Sequence, residues 1–293
     1  MDNKNVFLPK THFLQNNFGD ITQIGCGGTG GFLVPQIART LYDMKNTRGG
    51  GRNSRYILID GDKVEEKNLL RQNFVQNDIG KYKAEVLAQR YSAAFGIAIE
   101  YKTDFLNADN VHTLSASNYT DRSMIIGCVD NHATRKLIYN LIIEAYKEYY
   151  DEEAKYKPVY IDSGNELTSG QVFINAMFRN VNRGSASSPP YFSDMKTVYK
   201  GIFESNDKHP DDLSCAERVI SGEQSLSINA TAANVVFNIV NAFLNLEKIF
   251  YYNVTFGSNN TVSRNFIDSY IEDVLSKNKK RPVSRRGLKE VLE

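Results

Sequence analysis

Cysteine is scarce in this chain: Cys26, Cys128 and Cys215 are the only three among 293 residues. So few, and an odd number, exclude a disulfide framework. No C-x-x-C pair exists either, which excludes a four-cysteine zinc site. An excess of one charge is also missing. Lysine and arginine number 35 against 34 aspartate and glutamate, for a net charge of +1. No overall field therefore draws the protein to nucleic acid or to an anionic membrane. Long apolar runs are absent too. "AANVVFNIVNAFLNL" comes nearest to the roughly 18 residues of a membrane helix, but asparagines interrupt it. The opening "MDNKNVFLPKTHFLQ" is polar where the apolar stretch of a signal peptide would stand. We expect a soluble, cytoplasmic protein. The chain has no internal repeats.

What is present is enough for a sizeable core. At 41% hydrophobic residues, the length suits one large α/β domain, or one domain with an appendage. Short apolar runs at 21–25, 56–60, 97–101, 123–130 and 158–164 read as strands. Helical patterns fall at 29–45, with Pro35 an irregularity, at 80–95 and at 132–150. In the second of these helices Val86, Leu87, Tyr91 and Ala94 are the apolar positions. Strands alternating with helices predict a Rossmann-like, mostly parallel sheet with helices on both faces. "QVFINAMF" at 171–178 alternates, as an edge or antiparallel strand would. Residues 180–213 are polar and hold three of the seven prolines, which predicts a long, partly mobile crossing segment. A helix at 225–247 and a strand or hairpin at "YYNVTFGS" complete an antiparallel extension. The basic tail "SKNKKRPVSRRGLKE" reads as a solvated end.

The stretch "ITQIGCGGTGGFLVPQIARTLY" carries the first chemistry. A strand ends in Gly25, Gly27, Gly28 and Gly30 and passes straight into a helix. Such glycines let a backbone approach a phosphate, and the helix N-terminus supplies donors and a favourable dipole. An acidic residue should end the next strand and bind a ribose. Asp60 does, 30 residues beyond Gly30 rather than about 20. The Gly- and Arg-rich loop at 47–55 accounts for the excess. To this point a dinucleotide oxidoreductase fits equally well.

The following residues narrow the choice. Asp60-Gly61-Asp62-Lys63-Val64 precedes Asn68-Leu69-Leu70-Arg71-Gln72, then Gly80-Lys81-Tyr82-Lys83. Asp130, Asn131 and Arg135 follow the fourth strand. These motifs, in this order, resemble the E1-like adenylyltransferases, the family of ThiF, MoeB and the ubiquitin-activating enzymes. The resemblance spans residues 20–165 well and 166–260 loosely. It implies an amino-terminal segment at 1–18, an adenylation domain at 19–265 that includes the crossing segment, and a tail at 266–293. In length and in its "SCA…INATAANVV" ending the chain resembles standalone ThiF-like proteins of bacterial mobile-element systems, the PRTRC type among them.

Cleaving ATP between its α- and β-phosphates develops charge on pyrophosphate, and positive groups aimed there stabilise the transition state. Arg71 and Lys83 are the candidates, with Lys81 a rival to Lys83. Asp130, at a strand end, is the candidate Mg²⁺ residue, since that ion takes few carboxylates. Asn68 and Gln72 can hydrogen-bond phosphate or ribose, Asp62 lines the site or holds its loop, and Asn131 completes the set. The resemblance implies a ubiquitin-like (β-grasp) protein partner activated at its C-terminal carboxylate, and a homodimer. Cys26 and Cys128 read as small buried fillers. Cys215 stands before a helix, where some members carry an acyl-accepting thiol, so it is either a nucleophile or structural. Two departures stand out. The R-Y-x-R-Q stretch and the paired C-x-x-C zinc motif are both missing, and no structural zinc is expected. The alternatives are an NAD(P)-dependent oxidoreductase and a non-catalytic nucleotide-binding partner of an active E1.

Overall fold

The computed structural model describes residues 7–9, 20–47, 55–114, 123–148, 158–175, 177–180, 191–192, 195–198, 200–205, 225–246, 251–259 and 261–266. The strands are β1 (Phe7–Pro9), β2 (Ile21–Ile24), β3 (Tyr56–Ile59), β4 (Ile99–Lys102), β5 (Met124–Gly127), β6 (Val159–Asn165), β7 (Ser169–Asn175), β8 (Met177–Asn180), β9 (Tyr191–Phe192), β10 (Tyr251–Gly257) and β11 (Val262–Phe266). The helices are α1 (Gly28–Thr47), α2 (Lys83–Phe95), α3 (His132–Glu148), the short α4 (Met195–Val198) and α5 (Lys200–Glu204), and α6 (Leu226–Asn241).

Eight strands form one sheet in the order β11-β10-β7-β6-β5-β2-β3-β4. The five from β6 to β4 are parallel, and β7, β10 and β11 extend the sheet antiparallel. The strand order reverses between β2 and β5, and the carboxyl ends at such a switch point are the usual ligand position in sheets of this kind. A small sheet of β1, β8 and β9 stands apart in the hydrogen-bond pattern.

Alternation along the strands divides the core. Ile21, Tyr56, Leu58, Met124 and Ile126 pack with Leu33, Val34 and Ile37 of α1 and with Ile228, Ala232 and Val236 of α6. Ile24, Ile59, Ile125 and Tyr160 pack with Ile138, Tyr139 and Ile142 of α3 on the other face. Parallel strands are covered on both sides, which is why they read as nearly continuous apolar runs. Residues 226–244 are long and apolar enough to cross a bilayer, with a mean hydropathy of 1.3. Here that apolar character serves the contact with α1 and the sheet.

Two local expectations change. The strand expected at 171–178 splits: β7 is antiparallel, as one of the two readings had it, but ends at Asn175 and lies between β6 and β10 rather than at an edge, while β8 joins the small sheet. Ala94 is exposed, because α2 ends one residue later at Phe95. Gly96 closes that helix in the left-handed conformation (φ +61°), its N–H donating to Ser92 O at 2.9 Å. Within the crossing segment the described residues are Asn180 of β8, then β9, α4, α5 and Ser205.

Pro35 neither breaks nor delays α1, which runs unbroken from Gly28 to Thr47. Proline has no N–H for the carbonyl four residues back, Gly31. Asn73 Nδ2 supplies that donor at 2.9 Å and also reaches Tyr91 Oη at 2.8 Å. Asn73→Ala should therefore cost about 1–3 kcal/mol by leaving the Gly31 carbonyl without a donor. Urea denaturation checks this, and an unchanged midpoint would contradict it.

Candidate active site

The glycine loop joins β2 to α1 at the switch point. Gly25 sits at φ +94°, and a Cβ there would stand 2.5 Å from Cys128 O, so only glycine fits. A Cβ on Gly30 would stand 2.0 Å from Gly25 O, so this glycine permits the helix to pack on the turn. The first bond of the α1 ladder runs from Gly31 N to Gly27 O. The amides of Gly28, Thr29 and Gly30 thus have no partner within the helix and sit at its positive end.

Gln23 holds this loop from beneath, and strand-pattern reading missed it. It is fully buried within the strand Ile-Thr-Gln-Ile. Its Nε2 donates to Gly25 O at 3.0 Å and to Gly30 O at 3.1 Å, and its Oε1 accepts from Tyr56 Oη at 2.6 Å. A polar residue inside a buried parallel strand was the available signal.

Asp60 lies just past β3, beside the loop. Its Oδ2 accepts from Cys26 N at 2.6 Å and its Oδ1 from Asp62 N at 2.8 Å. The residue keeps some exposure, but protein surrounds the carboxylate on most sides. That burial pushes the carboxyl up to about 6, while the Lys83 charge and the two backbone donors pull it down. Lys83 opens α2 with its side chain only 8% exposed, and Nζ stands 2.9 Å from Asp62 Oδ2. Burial alone would lower the lysine's pKa. The negative charges of Asp60, Asp62 and Asp130 outweigh it and keep Lys83 a cation. The rival Lys81 is exposed. Asp130 follows β5 with its carboxylate exposed, and no hydrogen bond or ion pair with another described residue commits it.

The other polar candidates divide. Gln72 lies along Gly27, its Nε2 3.5 Å from where a Cβ would be, and its Oε1 is buried with no partner among the described residues. Asn68 is buried and its Oδ1 accepts from Glu65 N at 2.9 Å, which shapes the turn before Arg71. Asn131 Oδ1 accepts from Thr134 N at 2.8 Å and so caps α3. Arg71 is half-buried. Cys26 is fully buried, as a small core filler would be, whereas Cys128 is only partly buried against the same core, and burial raises both thiols. Cys215 lies outside the described residues.

Two more residues had no motif to announce them. Asn229 of α6 and Asn165 at the end of β6 hydrogen-bond each other at 2.5 Å against the glycine loop. Among the described residues no group of three or more His, Cys, Asp or Glu side chains is arranged to hold a metal ion by itself.

A family model described as "ThiF family" matches residues 18–266. The chain belongs to the ThiF family. The resemblance to E1-like adenylyltransferases drawn from the motifs thus holds, and so does the fold read from them. Solved structures agree at the level of fold. A crystal structure of PaaA superposes with a TM-score of 0.54 at 16% identity, over 85% of this chain and 64% of that one. Escherichia coli MccB with ATP superposes at 0.51 with 18% identity, over 85% and 63%. MccB with AMPCPP and MccA gives 0.54 and 17%, over 85% and 63%. This ThiF-family chain therefore spans less than two thirds of the length of those proteins. No curated protein matches it in sequence.

Proposed function

We propose that this ThiF-family protein is an ATP-dependent adenylyltransferase. Its substrate would be a carboxylate, the C-terminal one of a small ubiquitin-like protein. The observation that carries the reading is Lys83, a buried cation paired with Asp62 beside a glycine loop and kept charged also by the fields of Asp60 and Asp130. A buried lysine at a helix N-terminus opposes the helix dipole and contributes little to stability there. It suits a site where negative charge arrives.

The residues present fit a nucleoside triphosphate. The amides at the start of α1 that have no partner within the helix would face phosphate, and Asp60 would accept from ribose hydroxyls. Gln72 Oε1 is an orphaned acceptor beside the loop. Asn68 and Asn131 would set the backbone around the nucleotide, and Arg71 with Lys83 would bind the β- and γ-phosphates. Asp130, exposed and uncommitted, fits Mg²⁺ as a single carboxylate whose other ligands come from phosphate and water. That ion would neutralise phosphate charge.

In the reaction a carboxylate oxygen of the partner attacks the α-phosphorus. The bond to the bridging oxygen of the β-phosphate breaks and pyrophosphate leaves with the electron pair. No proton need move, so positioning and charge stabilisation carry the rate. A thioester step would follow in which the Cys215 thiolate displaces AMP from the acyl carbon. A homodimer and a cytoplasmic location belong to the same proposal. The MccB structures with ATP, and with AMPCPP and MccA, support it by kinship of fold.

Calorimetric titration tests the nucleotide. Mg-ATP should bind at least tenfold more tightly than NAD, because Arg71 and Lys83 serve a terminal triphosphate that NAD lacks. A preference for NAD would favour an oxidoreductase. ATP binding without ATP–pyrophosphate exchange, across candidate carboxylates, would favour a non-catalytic partner.

A further inference from the structure

We propose that Asn229 is a positioning residue for the triphosphate end of the site, acting through the backbone of Arg71 and the glycine loop. The proposal rests on the adenylation reading above. Asn229 lies in the first turn of α6 and is fully buried. Its Oδ1 accepts from Asn165 Nδ2 at 2.5 Å, and its Nδ2 donates to the carbonyl of Arg71 at 3.4 Å. Asn165 Oδ1 accepts from Thr29 Oγ1 at 3.3 Å. The four residues form a one-way relay of donors, from Thr29 through Asn165 and Asn229 to Arg71 O.

The relay ties together four separate pieces of chain: the start of α1, the end of β6, the first turn of α6 and the turn before α2. Its direction also fixes the amides. Turning Asn229 over would set its Oδ1 against the Arg71 carbonyl, and Asn165 Nδ2 would face another donor. The contact with the loop is close. A Cβ on Gly28 would stand 2.3 Å from Asn229 Nδ2, so the missing side chain at Gly28 is the space that Asn229 fills.

Asn229 is surrounded on α6 by Ile228, Ala232, Ala233 and Val236, all buried. An apolar residue there would pack without needing partners, so the asparagine is a costly choice for the core alone. What it adds is a fixed spacing between the Arg71 backbone and the phosphate-facing amides of α1. A positively charged group and a donor array must both be in register with one triphosphate, and small misplacements in such a site cost much of the binding and rate.

The test uses the full chain and two probes, ATP and AMP, titrated against wild type, Asn229→Ala and Asn165→Ala. AMP lacks the β- and γ-phosphates that Arg71 would bind on the adenylation reading. Each variant should lose about tenfold in ATP affinity and less than about twofold in AMP affinity. The KM for ATP in pyrophosphate exchange should rise with it. A merely structural role lowers thermal stability and leaves the ATP-to-AMP ratio unchanged, and that result overturns the proposal. Should the alanine variants not fold, Thr29→Val removes the donor at the far end while keeping the shape. It should show the same selective loss, at about threefold, and an unchanged ratio there also overturns the proposal. Wild-type protein that binds neither nucleotide overturns the adenylation reading itself. Wild-type binding with an unaltered ratio in the variants overturns only the role of Asn229.

Discussion

Lys83→Ala should lower the rate of ATP–pyrophosphate exchange by about 10²-fold or more, the scale of removing one charge stabiliser from a transition state. Two losses combine. The variant lacks the cation that would meet the developing charge on pyrophosphate. It also leaves Asp60 and Asp62 without their counter-charge, 2.9 Å away in the case of Asp62. An incoming triphosphate then meets uncompensated carboxylates, so affinity should fall along with the rate. Lys83→Arg should keep the charge but misplace it, because a planar guanidinium does not fit where a compact ammonium sits. It should recover part of the binding and less of the rate. Exchange at the wild-type rate in Lys83→Ala would remove Lys83 from the chemistry. Arg71→Ala should show a loss of similar size.

The candidate site residues could be picked out in the sequence because they are local. The glycine loop, Asp60 at the strand end and the G-x-x-K step to Lys83 lie within consecutive elements, where spacing encodes geometry. Gly25 and Gly30 have reasons visible in the turn itself, a positive φ and a close backbone contact. What stayed hidden is the layer that holds those residues. Thr29 and Asn165 are 136 positions apart, and Asn165 and Asn229 are 64 apart. Such pairs leave no period in one sequence. Gln23 carried no motif of its own, and its meaning depends on Tyr56 from the neighbouring strand. The place of β7 inside the sheet was hidden for a related reason. Alternation marks an antiparallel strand with two unlike faces, but which strands flank it depends on β10, some 80 residues later. Asn73 likewise answers a lost bond at Pro35 from a different segment.

Arg135 is the clearest case of a motif residue whose place is structural, and its loss should be the most damaging to stability. It matches the family pattern after Asp130, yet its side chain is only 5% exposed and pairs with an equally buried Asp162, Nε to Oδ2 at 3.2 Å. Its Nη2 donates to Val129 O at 2.5 Å and to Ser163 O at 3.1 Å, and Nη1 meets His132 Nδ1 at 3.1 Å. The guanidinium thus joins the turn after β5, the start of α3 and strand β6. Arg135→Ala strands a buried carboxylate, which costs about 3–5 kcal/mol. For a domain of this size that corresponds to a fall of roughly 10 °C in the melting temperature. The double variant Arg135→Ala with Asp162→Asn removes the stranded charge and should recover about half of the loss. Calorimetry distinguishes this from a role at the nucleotide. Asp130→Asn should leave the melting temperature unchanged while weakening the dependence on Mg²⁺, because an exposed carboxylate contributes little to the fold. If Arg135→Ala melts with wild type, the buried pair does not hold the turn that carries Asp130, and the motif arginine must act on substrate instead.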